Sequence, residues 1–76
     1  MTTFNYTVDD EPQATTAHVL TPVQILDAAK VDPASHYLVQ LEGQHQVSYQ
    51  DKPNDEIHIR EHMKFISIST GPTPVS

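Results

Sequence analysis

His58 and His62 stand four residues apart with Glu61 between them. On a helix that spacing would turn two imidazoles toward one metal ion and hold a carboxylate beside it. The condition is the helix, and Ile57-His58-Ile59 reads instead as a brief extended piece followed by a turn, so the two rings diverge. We therefore read them, together with His18, His36 and His45 near strand ends and turns, as surface histidines, and we expect no metal site. Any partner contact they make would respond to mild acid, because an unperturbed imidazole titrates at about pH 6.5. Other chemistries find less support. There is no cysteine, and the serines and threonines are scattered, without a glycine elbow to expose a nucleophile. The acidic pairs Asp9-Asp10 and Asp55-Glu56 fall in expected loops, where solvation suits them better than catalysis. Gly43 and Gly71 are the only glycines, which leaves no loop to cradle a phosphate. The chain reads as a non-enzyme with no cofactor site, and its function must lie in its surfaces.

Those surfaces belong to one small domain. At 76 residues the chain is short enough to bury only about 60% of its unfolded surface, and without cysteine no disulfide or thiolate zinc site can supplement the core. Stability must come from a sheet packed on whatever helix the sequence provides. The formal charge is −6, with ten acidic residues against Lys30, Lys52, Arg60 and Lys64. That balance argues against nucleic acid and anionic membrane surfaces as partners and favours a basic protein surface. Met1-Thr2-Thr3-Phe4-Asn5-Tyr6 has neither a basic start nor an apolar run, so no signal peptide is expected, and no stretch reaches the roughly 20 apolar residues of a membrane helix. The absence of cysteine fits a cytoplasmic setting.

One helix is sharply announced. Thr21 suits the N-cap, Pro22 the first helical position, and Gln24 completes a capping box, while Leu20 and Ile25 occupy the positions of a hydrophobic staple. The spacing predicts a helix over 22–30 that buries Ile25, Leu26 and Ala29, with Lys30 set against the C-terminal dipole and Pro33 barring extension. Strands surround it. Phe4, Tyr6 and Val8 alternate with polar residues, Asp9-Asp10-Glu11-Pro12 reverses the chain, and Gln13 to Val19 reads as a weaker second strand. Tyr37-Leu38-Val39-Gln40-Leu41 is the strongest strand, with Tyr37, Val39 and Leu41 on one face; Gln46 to Tyr49 returns after a turn at Gly43. Lys64 to Ser69 closes the regular structure, which makes residues 1–70 the domain and 71–76 a tail with two prolines, expected to be mobile. This order predicts an α+β fold: a mixed sheet of four to five strands on one helix, with the last strand inserted centrally and parallel to the first. The β-grasp fold meets those conditions; an SH3-like or OB-type barrel would not need a capped helix so early.

The residues also carry a resemblance. Leu20-Thr21-Pro22-Val23-Gln24-Ile25-Leu26, the run Asp32 to Leu41, Ile57-His58-Ile59 and Met63 to Ile68 resemble the bacterial multiubiquitin class of ubiquitin-like domains, a likeness that extends from Phe4 to Ile68. It implies a β-grasp protein modifier of a bacterial conjugation pathway. Such modifiers are encoded beside an activating enzyme, a conjugating enzyme and a metal-dependent peptidase, in systems associated with defence against phage. The tail departs from the ubiquitin pattern. In place of a terminal di-glycine it has a lone Gly71 followed by five residues. Glycine serves there because a side chain would obstruct threading through a narrow active-site channel. Use of Gly71 would require a peptidase to cut before Pro72, whose nitrogen carries no hydrogen. Activation through Ser76, or no conjugation at all, is left open. Sulfur carriage, another use of this fold, calls for the missing di-glycine.

The last strand has apolar residues on both faces, Phe65 on one and Ile66 and Ile68 on the other, so some apolar surface should stay exposed. The expected docking patch for the conjugation enzymes is Ile66 and Ile68, or Phe65, together with Leu38 or Val47, on an acidic sheet face beside the tail. The competing expectation is an adaptor domain, never conjugated, that uses the same sheet face only to bind a partner protein.

Overall fold

The structure, a computed structural model, describes residues 2–70. Among these residues seven strands and one helix follow one another as β1 (Phe4–Val8), β2 (Glu11–Thr15), β3 (Val19–Leu20), α1 (Pro22–Ala28), β4 (His36–Glu42), β5 (His45–Ser48), β6 (Ile57–His58) and β7 (Met63–Ser69). The main sheet has five strands in the order β2-β1-β7-β4-β5, while β3 and β6 pair in a separate two-stranded ribbon. β7 lies at the centre, parallel to β1 (Tyr6 beside Met63, Val8 beside Phe65) and antiparallel to β4 (Gln40 beside Phe65, Tyr37 beside Ile68). This is the α+β, β-grasp arrangement expected from the element order. No helix among the described residues is long and apolar enough to cross a membrane.

Helix α1 begins as its residues dictate. The Thr21 hydroxyl accepts from the Gln24 N–H at 3.2 Å, and the Gln24 side-chain oxygen accepts from the Thr21 N–H at 2.9 Å. The Val23 N–H donates to the Pro53 carbonyl at 3.2 Å and the Ile25 N–H to the Thr21 carbonyl at 3.0 Å. Pro22 has no N–H to satisfy, so the whole first turn is accounted for. The other end comes sooner than expected. Lys30 takes a left-handed φ of 63°, its N–H bonding the Asp27 carbonyl at 3.0 Å, and the Val31 N–H reaches back to the Leu26 carbonyl at 2.9 Å. That pair of bonds is a Schellman motif, with Val31 tucked against the core. The helix therefore ends at Ala28, well before Pro33 can act, and Lys30 is its terminator rather than its last turn.

The second expected strand also divides. Asp9 and Asp10, at φ 53° and 67°, form a two-residue turn with left-handed backbone at both positions, as type I′ hairpins require. The tight reversal draws Glu11 and Pro12 into the ladder opposite Val8 and Thr7, so β2 starts earlier than Gln13. Proline is tolerated because β2 is an edge strand. Val19 and Leu20 then leave the main sheet to pair with His58 and Ile57. The core lies between α1 and one face of the sheet. Ile25 and Leu26 meet Tyr6, Val8, Leu38 and Phe65 there, with Ile57 and Ile59 closing one end.

Candidate functional site

Alternation along the strands divides the sheet into two faces. Register places Tyr6, Val8, Leu38, Gln40 and Phe65 toward the helix, and Asn5, Thr7, Tyr37, Val39, Leu41, Lys64, Ile66 and Ile68 away from it. Among the described residues no helix lies over the outer face, yet it carries an apolar belt. Tyr37 lies opposite Ile68 and Val39 opposite Ile66, cross-strand pairs within side-chain reach. Val39 is buried at 4% exposure, Ile66 is half-buried, and Ile68 remains 36% exposed. The belt runs beside β7 to Thr70, whose N–H is held by the Ser35 carbonyl at 2.9 Å.

The expected patch residues therefore separate. Ile66 and Ile68 do lie on the open face. Phe65 and Leu38 do not: at 1% and 0% exposure they are core residues beneath α1, and no partner can reach their side chains. Val47 is 38% exposed, but it pairs with Gln40 and so sits on the helix side of edge strand β5, not with Ile66 and Ile68. Tyr37, Val39 and Leu41 replace them beside the isoleucines. Their alternation was visible in the sequence, but only the pairing of β4 with β7 shows that they share a face with Ile66. Gly71 and Ser76, with the rest of the expected mobile tail, lie outside the described residues.

The acidic residues are placed differently from the expected acidic sheet face. Lys64 is the single charged residue at the outward strand positions. The carboxylates cluster instead in turns and along the helix side. Asp9 receives the Ser67 N–H at 2.8 Å and the Ser67 hydroxyl, which locks the β1–β2 turn onto β7. Glu42, Glu56 and Glu61 line a cleft of about 440 Å³ beside the end of β4 and the start of β7, with Tyr49 and Arg60 also in its lining. At its base lies Gln40, 8% exposed, which donates to Glu42 at 3.2 Å and accepts from the Tyr49 hydroxyl at 3.4 Å. Burial pushes the Tyr49 phenol up, and the Asp55 and Glu42 carboxylates push it further, so the potential at this wall is negative. Glu61 has a second task. The backbone N–H and the side-chain amide of Asn5 both donate to it and hold its carboxyl below the usual glutamate range.

The histidine pair takes the expected backbone. His58 is in a strand and His62 has a left-handed φ of 66°, so the helical i, i+4 geometry of a ligand pair does not arise. No protein-family model, curated protein or solved structure matches the chain.

Proposed function

We propose that this chain is a ubiquitin-like protein modifier of a bacterial conjugation pathway. The observation that carries the reading is the placement of the apolar belt: Tyr37, Ile66 and Ile68 flank the central strand, and the chain leaves that strand at Thr70 within two residues of Ile68. An enzyme seated on the belt would have the following segment in its grasp. Lys64 at the margin would favour an acidic contact there, while the carboxylates of the turns suit a basic rim.

None of the bond chemistry belongs to this chain. In the activating enzyme, a carboxylate at the end of the modifier attacks the α-phosphorus of ATP and pyrophosphate leaves. An enzyme thiolate then displaces AMP, and the thioester passes through a conjugating enzyme to an amine or hydroxyl of the target. If Gly71 supplies that carboxylate, a metal-dependent peptidase must first remove Pro72 to Ser76.

Incubation with the cognate activating enzyme and ATP, read by intact mass, tests the proposal. An AMP adduct or enzyme thioester is expected, and its mass identifies Gly71 or Ser76 as the reacting end. Ile68→Ser should slow its formation about tenfold, as expected when an apolar anchor leaves an interface. An unchanged mass with active enzyme would instead support a non-conjugated adaptor that docks through the same belt.

A further inference from the structure

The two edges of the sheet are built differently. β2 is protected, since Pro12 removes a backbone donor and Glu11 places a charge at its start. β5 is the opposite edge, and His45-Gln46-Val47-Ser48 contains no proline, lysine, aspartate or glutamate and is exposed throughout. The phase of its ladder is set by the Tyr49 N–H donating to the Leu38 carbonyl opposite it at 2.9 Å. Antiparallel pairs alternate between bonded and non-bonded positions, so Val47 and His45 bond to β4 while Gln46 and Ser48 turn their N–H and C=O groups outward. On the helix side, the carboxylate-bearing Glu42 of β4 stands opposite His45 of this open edge.

From these features together we infer that β5 accepts an extended segment of a partner protein as a sixth strand, with arginine or lysine at the positions on the helix side of the sheet. The backbone of Gln46 and Ser48 supplies the pairing. The added strand's helix-side side chains fall beside His45 and Val47, with the Glu42 carboxylate across His45 and the Tyr49 wall just beyond Ser48. Charge thus selects the occupant: a basic strand gains where an acidic one, or a second copy of this chain at net charge −6, is repelled. The raised Tyr49 pKa fits the same negative wall. The inference goes beyond conjugation and holds whether or not the chain is a modifier.

A fluorescein-labelled probe, Val-Arg-Val-Arg-Val-Thr, tests it by anisotropy against the full chain. Two N-methylated versions, one blocked at the valine nitrogens and the other at the arginine nitrogens, keep charge and composition constant. A paired strand bonds through one set and not the other, so one version should bind about tenfold more weakly and the other normally. In the protein, Gln46→Pro removes an outward donor while leaving the β4 ladder intact, and should weaken the parent probe by a similar factor with an unchanged melting temperature. Glu42→Gln should weaken it severalfold, and exchange of the Gln46 and Ser48 amides should slow when the probe binds. Equal binding of both methylated probes, or no binding of the parent, would overturn the inference. Self-association at this edge that excludes the probe, seen by sedimentation equilibrium, would overturn it too.

Discussion

Phe65 and Ile68 lie on the same strand three residues apart and reach opposite sides of the sheet. Phe65 is sealed at 1% exposure beneath Ile25 and Leu26, with its ring edge-on to Tyr6 at 5.8 Å, whereas Ile68 stands 36% exposed beside Tyr37. The apolar residues are of one kind on both faces; the difference is the cover. A single seven-residue helix can shield only one side of a five-stranded sheet, and the belt on the other side stays without that cover. The faces should therefore separate sharply in their contributions to stability. Phe65→Ala is expected to cost about 3–5 kcal/mol, much of the 5–15 kcal/mol typical of a whole domain. Ile68→Ala should cost less than about 1 kcal/mol. Urea unfolding of the two variants makes the comparison, and equal losses would mean that the outer face is covered in solution.

Thr21 sharpens the contrast, because it holds in place the helix that creates it. Thr21→Ala removes the acceptor for the Gln24 N–H and should cost about 1 kcal/mol. Its partner bond, from the Thr21 N–H to the Gln24 side chain, predicts that Thr21→Ala and Gln24→Ala combine non-additively. A double-mutant cycle with no coupling would show that the two halves of the capping box act independently.

Much of the covered face was legible in the sequence because its determinants are local. Thr21, Pro22 and Gln24 state a helix start within four residues, and Tyr6 and Val8 state a core-facing strand by alternation. The outer face was not legible in the same way. Phe65-Ser67-Ser69 and Lys64-Ile66-Ile68 are each part apolar and part polar, so the choice between them needed Val8 beside Phe65, a contact across most of the chain. Leu38 falls on the covered face for the same reason, and Val47 joins it because an exposed edge residue belongs to whichever face its partner Gln40 occupies. Charge offered a sign without a location, so the acidic face expected from the composition dispersed into turns. The cleft beside β4 joins residues 40–43 and Tyr49 to the segment from Glu56 to Met63 and has no local signature.

The helix end offers a smaller test. Lys30 occupies a left-handed position that costs a side-chain-bearing residue about 1–2 kcal/mol, and glycine would lose that strain while adding about 0.4–1 kcal/mol of unfolded-chain entropy. Lys30→Gly should thus stabilise the domain by roughly 0.5–1 kcal/mol, read as a higher urea midpoint with the same slope. It acts only through the helix, so the outer belt should keep its exposure. A destabilised variant would mean that the lysine stem contributes packing greater than the backbone strain.

The least effect is expected where neither face is involved. Glu61 is fully exposed and ties the loop before β7 to Asn5 through the backbone N–H and the side-chain amide, bonds that favour the ionised carboxylate and lower its pKa on folding. Because the folded value is the lower one, the contribution is complete above the ordinary glutamate value of about 4.3 and declines as the pH falls from there through the folded value. Thermal melts of the parent and Glu61→Gln should accordingly differ at neutral pH and converge in acid. The neighbouring His62 adds a weaker pull in the same direction, so His62→Gln should narrow the difference without removing it. A gap that is constant with pH would assign the tie to hydrogen bonding rather than charge, for glutamine keeps one acceptor oxygen and loses both the charge and the second acceptor.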